Sequence, residues 1–303
     1  MMKNKETLLA SKFNRPRLLI LGCGDVGMRL LPLVRDRFRV FAVTSQSSRR
    51  EELRAAGSVP IVADLDQPAS LARLARLAPY IVHLAPPQSE GLTDRRSRNL
   101  TAILPDGATM VYVSTTGVYG DCGGAMFDET RPLNPQNARA KRRVDAERVL
   151  RAWARRSGSR LAILRVPGIY AADRLPIERL RKGTPALAPE DDVYTNHIHA
   201  DDLARIIACA LFRAAPCRTY HAVDDSDMKM ADYFDAVADH AGLPRPPRLP
   251  RAELELAVSP TLLSFMSESR RLANARLRTE LGVRLQYPRV EDALASIFFR
   301  AAT

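Results

Sequence analysis

The chain has 303 residues, 46% hydrophobic and 26% charged, a composition that suits one large α/β domain or two smaller ones. No apolar run approaches the roughly 18–20 residues of a membrane span, and the polar, basic start MMKNKETLLASKFNRPR lacks the apolar core of a signal peptide, so no membrane partner and a cytoplasmic setting are expected. The net charge of +12 favours anionic ligands, but the basic residues are spread along the chain beside acids at helical spacing, as in AKRRVDAERVLRAWARR, which reads as a solvated helix face and makes nucleic acid an unexpected partner.

Residues 1–15 read as a loose N-terminal arm. Leu18–Leu21 is a strand that stops at Gly22-Cys23-Gly24-Asp25-Val26-Gly27. This is G-x-G-x-x-G between a strand and a helix (Met28–Arg37), the context that the dinucleotide-binding fingerprint requires. The first glycine allows a tight turn, the second lets backbone approach a pyrophosphate, and the third lets helix and strand pack closely. The helix N-terminus offers free N–H groups to the phosphates.

Phe38–Thr44 is the second strand. A site for NAD usually carries Asp or Glu at its end, to bind the ribose 2′-hydroxyl. Here Thr44 and Ser45 are uncharged and Arg49 and Arg50 follow, which favours NADP over NAD, with NAD still open. The bland alternative is that the arginines simply open the helix Arg49–Ala56. Strand three (Val59–Ala63) leads to Asp64-Leu65, where an adenine contact is common in such folds. A helix over Ser70–Ala78 precedes strand four (Tyr80–Leu84), and Ala85-Pro86 follows where backbone passes under a cofactor. Asn99–Leu104 ends another helix, Met110–Ser114 is strand five, Arg139–Arg156 a long helix and Leu161–Arg165 strand six. This alternation predicts a doubly wound parallel sheet, a Rossmann-type α/β domain over 16–165. Proline-rich loops then break the pattern, so 166–303 is expected to be a small C-terminal lobe. Leu203–Phe212 and Thr219–Val223 are its helix and strand returning to the main sheet.

After strand five comes Ser114-Thr115-Thr116-Gly117-Val118-Tyr119-Gly120-Asp121. With the glycine turn, this resembles the extended short-chain dehydrogenase/reductase family of sugar-nucleotide epimerases and dehydratases, which carry Ser/Thr-x-x-V-Y-G here. Leu164-Arg165-Val166-Pro167-Gly168-Ile169-Tyr170, Asn196-His197-Ile198-His199-Ala200-Asp201-Asp202-Leu203, and Ser269–Leu277 followed by Glu280-Leu281-Gly282 are similar to further family segments, the last to those of an atypical bacterial branch. The resemblance implies NAD(P) in a cleft beside the C-terminal lobe, which would take the substrate. It places the substrate-orienting hydroxyl at Thr115 and the nicotinamide contacts at the backbone of Pro167 and Ile169. The family often dimerises through helices beside the active site, so a homodimer is one expectation.

The family's proton donor is the tyrosine of Y-x-x-x-K, whose lysine binds the ribose. Here the stretch reads Asn134-Pro135-Gln136-Asn137-Ala138-Arg139-Ala140-Lys141. Lys141 matches the lysine, and Asn137 stands where the tyrosine belongs. Three outcomes follow: another group, Tyr119, Asp128 or a water, supplies the proton; the reaction needs no strong acid; or the protein binds NADP without turnover. The expected function is thus an NAD(P)-dependent oxidoreductase or epimerase-like enzyme acting on a small carbonyl, hydroxyl or sugar-nucleotide substrate, the alternative a non-catalytic NADP-binding regulator or sensor.

The cysteines at 23, 122, 209 and 217 have no C-x-x-C spacing, against a disulfide scaffold or zinc module. Cys23 fits its turn by small size, and no base is visible beside Cys122. His197 and His199 alternate on a strand with no third ligand at metal spacing, so no metal is expected. Asp201 or Asp202 is expected to cap the helix that follows.

Overall fold

The structure is a computed structural model and describes residues 15–301. The expected N-terminal arm lies almost wholly outside the described residues. The chain divides into two units. Of the described residues, the first holds those up to Thr115 together with Asn137–Arg165 and Leu203–Tyr220; the second holds Thr116–Gln136, Val166–Asp202 and those from His221 on. Arg165 is the last residue of a first-unit segment, and Leu203–Tyr220 lies in the first unit, while His221–Val223 of the expected strand Thr219–Val223 lies in the second. The segment 116–136 belongs to the second unit, whereas the sequence places it in the Rossmann domain. A loop without periodicity carries no signal of the unit it packs on.

The first unit carries the strands β1 (Arg17–Leu21), β2 (Arg39–Thr44), β3 (Val59–Val62), β4 (Tyr80–His83), β5 (Thr109–Thr115), β6 (Arg160–Val166) and β7 (Arg218–His221). They form one sheet in the order β7-β6-β5-β4-β1-β2-β3. The pairings β1–β2, β1–β4, β2–β3 and β4–β5 are parallel. This is a doubly wound Rossmann-type fold, and its strand order reverses between β1 and β4. β1, β2 and β6 read as continuous apolar runs because both faces of a parallel sheet are covered.

The helices that matter for the site are α1 (Asp25–Val34), α2 (Arg50–Ala55), α3 (Arg95–Thr101), α4 (Ala138–Arg156) and α5 (Ala200–Arg213). The expected helix over Ser70–Ala78 is instead a 3-10 turn, Pro68–Leu74. Ser70 Oγ donates to the Asp64 carbonyl at 2.7 Å and accepts the Asp64 N–H at 3.0 Å. That local bond folds the segment back onto the end of β3, and the residues after it wind through bonds of three-residue span, as from Ala75 N to the Ala72 carbonyl at 3.2 Å. Leu71 and Leu74 are nonetheless fully buried.

α4 is long and strongly charged, yet it buries Ala140, Val144, Ala146, Leu150 and Trp153. Glu147 lies on that buried side. Its carboxylate accepts Ser114 Oγ at 2.7 Å, Arg165 Nη2 at 2.8 Å and Arg165 Nε at 3.1 Å, which ties α4 to β5 and β6. A charge this deeply buried is tolerated only with such partners.

In the second unit, the strand Gly168–Tyr170 pairs in parallel with His197–His199. The Asp202 carboxylate, in the first turn of α5, accepts the backbone N–H groups of Gln286 and Tyr287, both at 2.8 Å. These two bonds anchor the chain near 286.

Candidate functional site

The glycine turn sits where the strand order of the sheet reverses, the place where open α/β sheets take ligands. Gly22 has φ +80°, and a Cβ there would lie 2.7 Å from the backbone nitrogen of Ala85. Leu84 and Ala85 donate to the carbonyl of Leu21 at 2.9 and 3.1 Å, so the chain beyond β4 is pressed against the turn. Only glycine fits at position 22. Gly27 is packed as closely: a Cβ would meet Cys23 Sγ at 2.9 Å and Leu84 Cδ1 at 3.3 Å. Gly24 differs. It precedes α1 with φ −83°, and a Cβ there would meet nothing within 4 Å. The fold does not need a glycine there, and the open space is what a pyrophosphate would use.

Asp25 and Val26 form the first turn of α1. The Asp25 carboxylate is turned along the helix to Arg29 Nε at 2.8 Å, which offsets its charge beside the free N–H groups. Cys23 is buried, and burial pushes its thiol up to about 11, so it is inert and its small size is what the turn uses. Burial also raises the thiol of Cys122.

Thr44 is buried, and its Oγ1 accepts the N–H of Gln46 at 3.1 Å; Ser45 is exposed. Arg49 lies across the turn: Nη1 donates to the Cys23 carbonyl at 2.6 Å, while Nε and Nη2 meet the two oxygens of Glu52 at 2.8 and 2.9 Å. One N–H on each of Nη1 and Nη2 lies outside these three bonds. Arg50 is exposed. Arg49 alone, then, reaches the glycine turn, and Glu52, which sequence reasoning overlooked, orients it. The signal was a three-residue helical spacing from Arg49.

The other expected cofactor contacts are arranged mainly by backbone. The Asp64 carboxylate accepts the Asp66 N–H at 2.9 Å, and the buried Leu65 gives its carbonyl to Asn99 Nδ2 at 2.9 Å. Ala85 is buried against the turn. Pro86 is exposed, and its carbonyl accepts Arg96 Nη1 at 2.9 Å.

Thr115 is the last residue of β5 and is half-buried. Lys141 is exposed. Two positions on, Arg143 projects towards the sheet: its Nη1 donates to the Val113 carbonyl at 2.9 Å and to the Tyr112 hydroxyl at 3.0 Å. Residues two apart on a helix point to opposite sides, so α4 aims Arg143 at β5 and Lys141 away from it. Beside Arg143 is His83, fully buried at the end of β4, its ring centroid 5.0 Å from that of Tyr112. Burial, and then the cations of Arg143 and Arg96, push His83 down to about 3, so it is neutral. Asn137 Oδ1 accepts the N–H of Ala140 and caps α4.

In the second unit, Tyr119 is almost wholly buried and its hydroxyl lies 2.6 Å from His221 Nε2. His221 Nδ1 faces the Ala273 carbonyl at 2.9 Å and donates to it; in the neutral ring Nε2 then accepts from the Tyr119 hydroxyl. The phenol is thus paired with His221 in the core of the second unit. Asp128 is exposed, and the hydrogen bonds from Thr130 Oγ1 and N hold its carboxyl below the usual range; it is an anion near neutral pH and has no proton to give. Pro167 and Ile169 are half-buried at the strand Gly168–Tyr170. His197 is buried, stacked on Tyr233 at 4.3 Å, and burial pushes it down to about 3. Among the described residues no group of three His, Cys, Asp or Glu side chains could hold a metal ion, and no helix is long and apolar enough to cross a membrane.

The model of the RmlD substrate binding domain family matches residues 96–296, more than half of the chain. The chain belongs to this family. It is thus a member of the NAD-dependent epimerase/dehydratase group of extended short-chain dehydrogenases/reductases, as its motifs led us to expect. It is similar to a solved conserved protein of unknown function from Silicibacter pomeroyi DSS, with 29% identity, TM-score 0.76, and coverage of 95% of this chain and 100% of that one. The fold is shared with UDP-glucose 4-epimerase of Thermotoga maritima, solved with UDP-glucose, at 16% identity and TM-score 0.75 over 94% and 99% of the two chains. It is shared too with a double mutant of the dTDP-glucose 4,6-dehydratase DesIV of Streptomyces venezuelae, solved with NAD and DAU bound, at 20% identity and TM-score 0.74 over 93% and 95%. No curated protein matches the chain by sequence.

Proposed function

We propose that this family member is an NADP(H)-preferring oxidoreductase or epimerase-like enzyme acting on a small carbonyl, hydroxyl or sugar-nucleotide substrate, with NAD as the weaker ligand. The observation that carries the reading is the glycine turn. Gly24 has open space where Gly22 and Gly27 have none, and Arg49 rests on the carbonyl of Cys23 with N–H groups to spare. A 2′-phosphate would complete that guanidinium, since bidentate guanidinium–phosphate contact is its strongest use. The turn and α1 would hold the pyrophosphate. NADP(H), when bound, supplies or accepts the hydride.

Thr115 would orient a substrate oxygen from the end of β5. The proton would come from water or from the substrate's own groups, since Asn137 is a helix cap, Tyr119 is committed to His221 and Asp128 is ionised. These facts also favour the second reading, a dinucleotide-binding regulator without turnover. Screening NADPH-dependent reduction over aldehydes, ketones and sugar nucleotides separates the two. Turnover of any substrate class establishes the enzyme; binding without turnover across the screen favours the regulator.

We place the protein in the cytoplasm with a small-molecule substrate and no nucleic-acid partner. A homodimer remains the family expectation, although the outer face of α4, with exposed Lys141, Arg148 and Arg155, is cationic rather than apolar.

A further inference from the structure

Arg143 is a half-buried cation without an anionic partner among the described residues. Nη1 spends both its N–H groups on Val113 and Tyr112. A guanidinium has five N–H donors, so three remain, on Nε and Nη2, and among the described residues none of them has a hydrogen-bond partner. Among the described residues no carboxylate pairs with it, in contrast to Arg165, whose guanidinium meets Glu147 in the same unit. The neighbouring ring is no counter-charge either: His83 is neutral, and its Nδ1 is buried without a partner. A cation placed by the fold at the carboxyl-terminal part of β5, half-buried and with three donors open, can receive an acceptor from outside the chain.

Its place says which acceptor. A dinucleotide-binding sheet has two mononucleotide-binding halves. Arg49 serves the half formed by β1 to β3, whereas Arg143 stands over β4 and β5 in the other half. We infer that Arg143, and not Lys141, is the cation that hydrogen-bonds the sugar–phosphate oxygens of the nicotinamide-side nucleotide. This rests on the dinucleotide reading above and deepens it. It transfers to Arg143 the role that sequence resemblance gives Lys141. Arg143 also fixes the end of β5 through Val113, two residues before Thr115.

The test is calorimetric binding to the full chain of two probes: NADPH, and adenosine 2′,5′-bisphosphate, which lacks the nicotinamide half. Arg143→Gln is expected to weaken NADPH about tenfold or more, the scale of a charged hydrogen bond, and to leave the bisphosphate within about twofold. Arg143→Lys, which keeps the charge, is expected to recover part of the loss, and Lys141→Gln to change neither probe. Loss of NADPH affinity in Lys141→Gln but not in Arg143→Gln overturns the inference. Equal loss of both probes in Arg143→Gln and Arg143→Lys also overturns it, since that marks a general structural role. Should the wild-type chain bind the bisphosphate and NADPH equally, Arg143 has no nicotinamide-side partner and the inference fails while the dinucleotide reading stands. Should it bind neither, both fail.

Discussion

Asn137 accepts the N–H of Ala140 at 2.9 Å, and this bond opens α4, the helix that carries both Lys141 and Arg143. Where the family's tyrosine would stand, the chain has a helix cap. An amide is a good acceptor for a free N–H at a helix start and is not a proton donor near neutral pH. Asn137→Tyr is expected to cost about 1 kcal/mol of stability through loss of the cap, whereas Asn137→Asp is expected to keep it. Urea unfolding of both variants measures this. Equal stability of Asn137→Tyr and wild type would mean that the cap contributes nothing.

The two glycines at the head of the turn separate a need of the fold from a need of the ligand. Gly22→Ala is expected to lower the melting temperature strongly or prevent folding, because φ is +80° and the new Cβ would press on Ala85 backbone. Gly24→Ala is expected to fold as wild type and to lose dinucleotide affinity, since its Cβ enters open space. Thermal unfolding with and without NADPH reads both effects. If Gly24→Ala retained full ligand stabilisation, the pyrophosphate would lie elsewhere.

Arg49 decides between the two dinucleotides. Arg49→Gln is expected to weaken NADPH about tenfold or more and to leave NADH nearly unchanged, because only the former carries the 2′-phosphate. Competitive titration of each cofactor measures the ratio. A parallel loss of both would assign Arg49 to holding the turn through Cys23.

Asp224 gives the second unit a pH dependence of its own. Burial pushes its carboxyl up to about 8 from an ordinary 3.8. The folded state therefore holds a proton that the unfolded chain gives up, and its contribution to stability is present at low pH and is lost as pH rises through this window. Asp224→Asn, which keeps the acceptor for the Ser226 N–H, is expected to flatten the stability curve between about pH 4 and 8. An unchanged curve in denaturant titrations across that range would show that Asp224 is ionised in the fold.

The sheet was legible because strand runs, glycines and helix stripes are local signals, and the family motifs fixed their order. The Ser70–Ala78 helix was not, since the Ser70–Asp64 bonds that replace it depend on a partner six residues back. The position of the glycine turn between β1 and α1 could be read directly, because a strand, a glycine run and a helix follow one another in sequence. Lys141 was read by spacing from a motif, which carries no information on which side of α4 meets the sheet. Had Glu147 been recognised as part of the buried stripe, the rotation of the helix would have followed, and with it Arg143 one turn earlier. The commitment of Tyr119 to His221 joins residues 102 apart in sequence and leaves no local trace.

The central claim, that the glycine turn and Arg49 form a cradle for NADP(H), is tested most directly by calorimetric titration of the purified chain with NADPH and NADH. Saturable one-to-one binding of NADPH is expected, tighter than that of NADH by about tenfold or more. Absence of heat and of thermal stabilisation with either dinucleotide would contradict it.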